Sequence, residues 1–87
     1  MGWVKGQHLW MRAGRETEGV VLVVRKKLGN AVRRNRLKRR LRNIHRQLEP
    51  HPSGSVVVLA QVNATETPYK ELEAEFSRLL SLLQLAR

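Results

Sequence analysis

Apolar residues fall into two patterns along these 87 residues, and each predicts a different element. Val20–Val24 and Val56–Ala60 are unbroken apolar runs rich in β-branched side chains. Such runs describe strands covered on both faces, so Gly19–Arg25 and Ser55–Val62 are predicted as two buried strands. His51-Pro-Ser-Gly54 supplies the loop chemistry that introduces the second. A shorter alternation over His8–Ala13 predicts a third strand. Gly14 and the polar Arg15–Glu18 predict a turn that joins it to Gly19–Arg25 as a hairpin.

The second pattern is helical. Leu37, Leu41, Ile44 and Leu48 are spaced 4, 3 and 4, one face of a helix that starts near Asn30. Asn35, Arg39, Arg42 and Arg46 repeat that spacing two residues earlier, which places them on the opposite face. Gly29 and Asn30 suit a sharp exit from the strand, and Asn can cap. A last helix follows Thr67, predicted as its cap, with Pro68 at the first helical position. Glu71, Glu73 and Glu75 are read as partners of the positive end of its dipole and as solvated face. Tyr69, Leu72, Phe76, Leu79, Leu80 and Leu83 form its buried stripe. Strand, helix, strand, helix after a hairpin predicts an α+β fold, one small sheet with helices packed on it. A helix between two covered strands implies that those strands run parallel.

Length and composition bound this picture. Residues 1–87 suit one domain with a real but thin core. The chain has no Cys, which excludes a disulfide framework, a thiolate metal site and a Cys nucleophile. With no signal peptide legible, a cytoplasmic location is expected. The apolar runs are far too short to span a bilayer.

Charge changes the picture most. Eleven Lys and Arg lie between Gly19 and Leu48 with no Asp or Glu among them. They are Arg25, Lys26, Lys27, Arg33, Arg34, Arg36, Lys38, Arg39, Arg40, Arg42 and Arg46. This window carries +11, whereas the whole chain carries +10. Such self-repulsion calls for a polyanion that relieves it, nucleic acid foremost. Arg33 and Arg34 also occupy the first turn of their helix, where carboxylates are preferred. Together with the free N–H groups of that turn they make an anion site. On charge and position, the expected RNA-binding set includes Arg25, Lys26, Lys27, Asn30, Arg33 and Arg46.

The same segment carries a resemblance. Lys27-x-Gly29-Asn30-Ala31-Val32-x-Arg34-Asn35-Arg36-x-Lys38-Arg39-x-x-Arg42 resembles, position for position, the signature of the bacterial ribonuclease P protein component. The later order, a Val-rich strand and then a Leu-rich helix, agrees, so the resemblance covers Gly19 to the C-terminus. It implies a ribosomal-protein-domain-like fold whose strand–helix–strand crossover is left-handed, against the general right-handed preference; the family sense is the expectation adopted. It implies a subunit that binds a catalytic RNA and assists endonucleolytic removal of the 5′ leader from precursor tRNA. Hydrolysis would be done by the RNA with its magnesium, with no cofactor bound by the protein alone and no catalytic residue in it. Carried onto this chain, Arg34, Asn35, Arg36, Lys38, Arg39 and Arg42 would face the RNA. The family starts with a helix and a fuller first strand. Eighteen residues before Gly19 are too few for both, so that helix is expected to be missing. Trp10 and His8, with Trp3, are candidates to contact the leader, although Trp10 is read first as a core residue because Trp is highly buried on average.

Other chemistry is not legible. His8, His45 and His51 have no metal-ligand spacing, and His45 is expected to be solvated or to help bind RNA. No Gly-rich phosphate loop, nucleophile triad or zinc pattern is present. The alternative function is a ribosomal-type structural RNA-binding protein, which leaves the Arg-Asn-Arg signature unexplained. A free-standing enzyme and a membrane-surface helix are weaker, and neither DNA nor a membrane is an expected partner.

Overall fold

The structure, a computed structural model, describes residues 2–49 and 51–83. Four strands form one mixed sheet: β1 (Val4–Lys5), β2 (Leu9–Ala13), β3 (Val20–Val23) and β4 (Val56–Ala60). Their spatial order is β1-β2-β4-β3. β2 lies antiparallel to both β1 and β4, and β3 lies parallel to β4. The helices are α1 (Ala31–Gln47) and α2 (Tyr69–Leu82), with short 3-10 turns at Lys26–Leu28 and Val62–Glu66. β3, α1 and β4 thus form the predicted crossover between parallel neighbours.

The hairpin is corrected. β2 and β3 do not pair, because β4 lies between them. The Val-rich β4 takes the centre, where its ladder groups are bonded on both sides. The segment after β2 is fastened to the start of β4 instead: Gly14 N donates to Ser55 O (2.9 Å), Ser55 N to Glu16 O (3.1 Å), and Glu16 N to Ser55 Oγ (3.0 Å). Nearness in sequence favours a hairpin, but β2 pairs with β4 and the equally apolar β3 takes the edge.

The expectation of strands covered on both faces is also corrected. Leu9 and Met11 of β2 and Val56, Val58 and Ala60 of β4 are buried under the helices, with Leu37, Leu41, Ile44, Leu72, Phe76, Leu79 and Leu80. The other face is open, and Val21 and Val23 of β3 are 54% and 37% exposed there. An all-apolar run does not reveal whether its second face is covered by protein.

Both helices follow their predicted stripes. Asn30 caps α1, its Oδ1 accepting from Arg33 N at 2.9 Å. Gly29 stands at φ 141°, a conformation that a side chain would strain. At α2 the capping expectation fails: Pro68 takes the cap position, and Thr67 Oγ1 donates to Asn63 O (2.8 Å) in the preceding 3-10 turn. Asn43 Nδ2 donates to the Tyr69 hydroxyl at 3.0 Å, tying the two helices.

Candidate nucleic-acid interface

Helix α1 presents its Leu37–Leu41–Ile44 seam to the core and its cations to solvent. Arg33, Asn35, Arg36, Arg39, Arg42 and Arg46 are exposed, while Arg34, Lys38 and Arg40 are partly covered. Asn35, Lys38, Arg39, Arg42 and Arg46 line one groove along the helix, and Val32, Asn35, Arg36 and Arg39 line a second. Val32, 66% exposed, is an apolar residue set among these charges. Arg25, Lys26, Lys27 and Asn30 are exposed where β3 turns into α1, so the surface continues past the helix end. Among the described residues no Lys or Arg forms an ion pair; the pair present joins His8 and Glu75. The eleven cations therefore do not neutralise carboxylates of their own fold, and their field is directed outward.

Arg34 differs from its neighbours. Its Nε donates to Gly29 O at 3.1 Å and so braces the turn that starts the helix. The terminal guanidinium nitrogens remain available to an anion, since the guanidinium carries five donor hydrogens. Sequence reasoning assigned this side chain to RNA alone, and the missed signal is the positive-φ glycine five residues before it.

The open sheet face is the second surface. Strand register aligns Trp10, Leu59 and Val23 across it, and Arg12, Val57 and Val21 in the next row. The Lys5 ammonium lies 4.7 Å from a Trp10 ring centroid, and the Arg12 guanidinium 5.2 Å from a Trp3 centroid. Cations over indole faces hold those rings at a half-exposed apolar surface. Trp10 is thus not in the core; Leu9 and Met11 take the inward positions and alternation turns it outward. Lys5 and Arg12, unassigned from sequence, were legible through the same alternation.

His8 does not join Trp10. Its Nδ1 lies 3.0 Å from Glu75 Oε1 on α2, and His8 N and Leu9 N donate to Glu75 Oε2 at 2.7 and 2.6 Å. A Cβ on Gly6 would collide with the same carboxylate. Glu75 is therefore not solvated face: it is 6% exposed and clasps the β1–β2 turn. His45 is likewise buried, against the expectation, with its ring 6.4 Å from Phe76. Burial, and secondarily the charge of His51, lowers its pKa from 6.5. No group of three or more His, Cys, Asp or Glu among the described residues is placed to hold a metal. No helix among them is long and apolar enough to cross a membrane.

Fold and surface define a class: a small, strongly basic α+β protein whose cations are gathered on one helix and the turn before it. Comparison with known proteins narrows the class to a family. The Ribonuclease P family model matches residues 4–84, and the chain belongs to the ribonuclease P protein component family. The protein component of Streptococcus equi subsp. equi (strain 4047) is 37% identical over 83 residues, which cover 94% of this chain and 64% of that one. For the Thermus scotoductus protein the identity is 44% over 71 residues, 82% of this chain and 42% of the relative. The chain thus spans less than two thirds of the length of these curated relatives. The solved Staphylococcus aureus RNase P protein shares the fold at a TM-score of 0.80 and 21% identity, with 99% of this chain and 84% of that one covered. RNase P protein from Thermotoga maritima gives 0.79 and 26%, covering 93% and 82%.

Proposed function

We propose that this chain is the protein subunit of a ribonuclease P, binding the catalytic RNA through α1 and the turn before it and assisting 5′-leader removal from precursor tRNA. The carrying observation is the outward cationic surface of α1, which has no ion-paired carboxylate among the described residues and coincides with the Arg-Asn-Arg segment. Arg25, Lys26, Lys27, Asn30, Arg33, Arg34, Asn35, Arg36, Lys38, Arg39, Arg42 and Arg46 are the proposed RNA-facing set. Their action is electrostatic: they displace counterions from the RNA and reduce the repulsion between ribozyme and substrate. Magnesium enters with the RNA, and the protein supplies no nucleophile or acid–base pair to the cut. The chain's place of action would be the cytoplasm.

The open sheet face favours a second contact within the same function. Trp10 and Trp3, held by Lys5 and Arg12, offer stacking faces beside apolar Leu59 and Val57, the chemistry that suits unpaired leader nucleotides. His8, whose Nδ1 lies beside Glu75 on α2, is not part of the proposed stacking surface.

A cleavage assay tests the reading with purified protein, the RNase P RNA and the pair. Protein alone should leave precursor tRNA intact, and the pair should cut at lower magnesium than RNA alone. Cleavage at the mature 5′ end by RNA-free protein would overturn the assignment, as would a magnesium requirement unchanged by protein.

A further inference from the structure

His45 and His51 lie outside both surfaces. His45, in the last turn of α1, is 8% exposed, and its Nε2 is buried without a hydrogen-bond partner among the described residues. A buried polar atom left in this state costs free energy unless something pairs with it. The nearest polar ring is that of His51, in the loop toward β4. Its centroid lies 4.7 Å from that of His45 and the planes are inclined by 64°. Phe76 of α2 borders His45 from the core side and offers no ligand. Bonds of about 2.0–2.1 Å from nitrogen to zinc place the centroids of two ligating imidazoles roughly 5 Å apart. The observed separation is close to that, and His51, being exposed, is free to turn toward His45.

We propose that His45 and His51 form a two-imidazole site for a borderline divalent transition ion, zinc foremost, at the C-terminal end of α1. Imidazole nitrogen selects zinc, nickel or copper over magnesium, which demands oxygen ligands. An ion there would satisfy His45 Nε2, complement the negative end of the helix dipole and link α1 to the loop before β4. Water would complete the coordination, since no third ligand among the described residues converges.

The test is zinc titration of the full chain near neutral pH, read by the NMR signals of the three histidine rings and by melting temperature. The His45 and His51 signals should move together to saturation at one ion per chain, with His8 still, and the melting temperature should rise because the ion binds the folded form. Magnesium should move neither ring. His51→Ala, at an exposed position, should keep the fold and lose the response. His45→Phe, which keeps a flat ring against Phe76, should lose it too. Rings unmoved in excess zinc would overturn the site, as would a response that survives in His51→Ala.

Discussion

Arg34 shows at single-residue scale how one side chain serves both fold and surface. Its Nε bond to Gly29 O is a side chain–backbone bond at a half-covered site. Arg34→Ala should therefore lower unfolding free energy by about 0.5–1.5 kcal/mol and also weaken RNA binding. Arg36→Ala, at a fully exposed position, should weaken binding while leaving the denaturation midpoint in place. Urea melts and RNA titrations of the two variants check this; equal stability of both would deny the brace. His45 sets a pH dependence. Its pKa is lowered in the folded state, first by burial and then by His51. The folded chain thus holds fewer protons than the unfolded one over the interval below 6.5. The stability from the neutral ring is present above that value and is lost as pH falls through the depressed folded pKa. Unfolding free energies between about pH 7.5 and 5 should decline more in the native sequence than in His45→Phe. Neither role is visible in the sequence, where both residues read simply as members of a basic helix. Arg34 depends on a carbonyl presented by a positive-φ turn, and His45 on a packing angle that leaves it one position beside the Leu37–Leu41–Ile44 seam.

At the scale of elements, α1 was legible because its apolar spacing, its Asn30 cap and its charged back all state the same helix. Its two faces should separate on mutation. Leu41→Ala should cost about 2–5 kcal/mol of stability through a lost core contact, whereas Arg39→Ala should cost affinity for RNA and almost no stability. Thermal melts and binding assays on the pair check that division. The sheet was half legible. β3, β4 and their parallel pairing follow from the apolar runs and β2 from its alternation, but the order does not, because central position is decided by competition among strands that local spacing cannot record. The open face escaped for a related reason: Val21, Val23, Val57 and Leu59 are as apolar as the residues behind them, yet both helices pack on the other side. Glu75 is the clearest loss. Its position on the helix suits a solvated carboxylate, and only the approach of the β1–β2 turn makes it an acceptor for two backbone N–H groups. Glu75→Ala strands those groups in a buried site and should lower stability by about 1.5–3 kcal/mol. It should also loosen Trp10 and Lys5, which amide exchange in β2 would report.

For the whole molecule, one charge distribution unites fold and function. The Gly19–Leu48 window carries +11 while the segments before and after it carry +1 and −2, so the chain is polarised and not merely basic. The fold keeps that polarity by turning the apolar seam of α1 inward and leaving its cations without carboxylate neighbours among the described residues. Such an arrangement destabilises the isolated protein through self-repulsion and is relieved by a polyanion. The family was legible from the Arg-Asn-Arg signature because that signature is local; the Trp-bearing face was less so because it is assembled from four strands. The account rests on α1 meeting RNA phosphates, and the most direct measurement is the salt dependence of affinity for the RNase P RNA. The slope of log K against log salt should be steep, about −0.7 for each phosphate neutralised on single-stranded or loop RNA, with ten cations in the proposed RNA-facing set. Replacing Arg39 and Arg42 together should make that slope shallower by about 1.4 while leaving the fold intact. A flat salt dependence, or a slope unchanged in the double variant, would contradict an interface built on this helix.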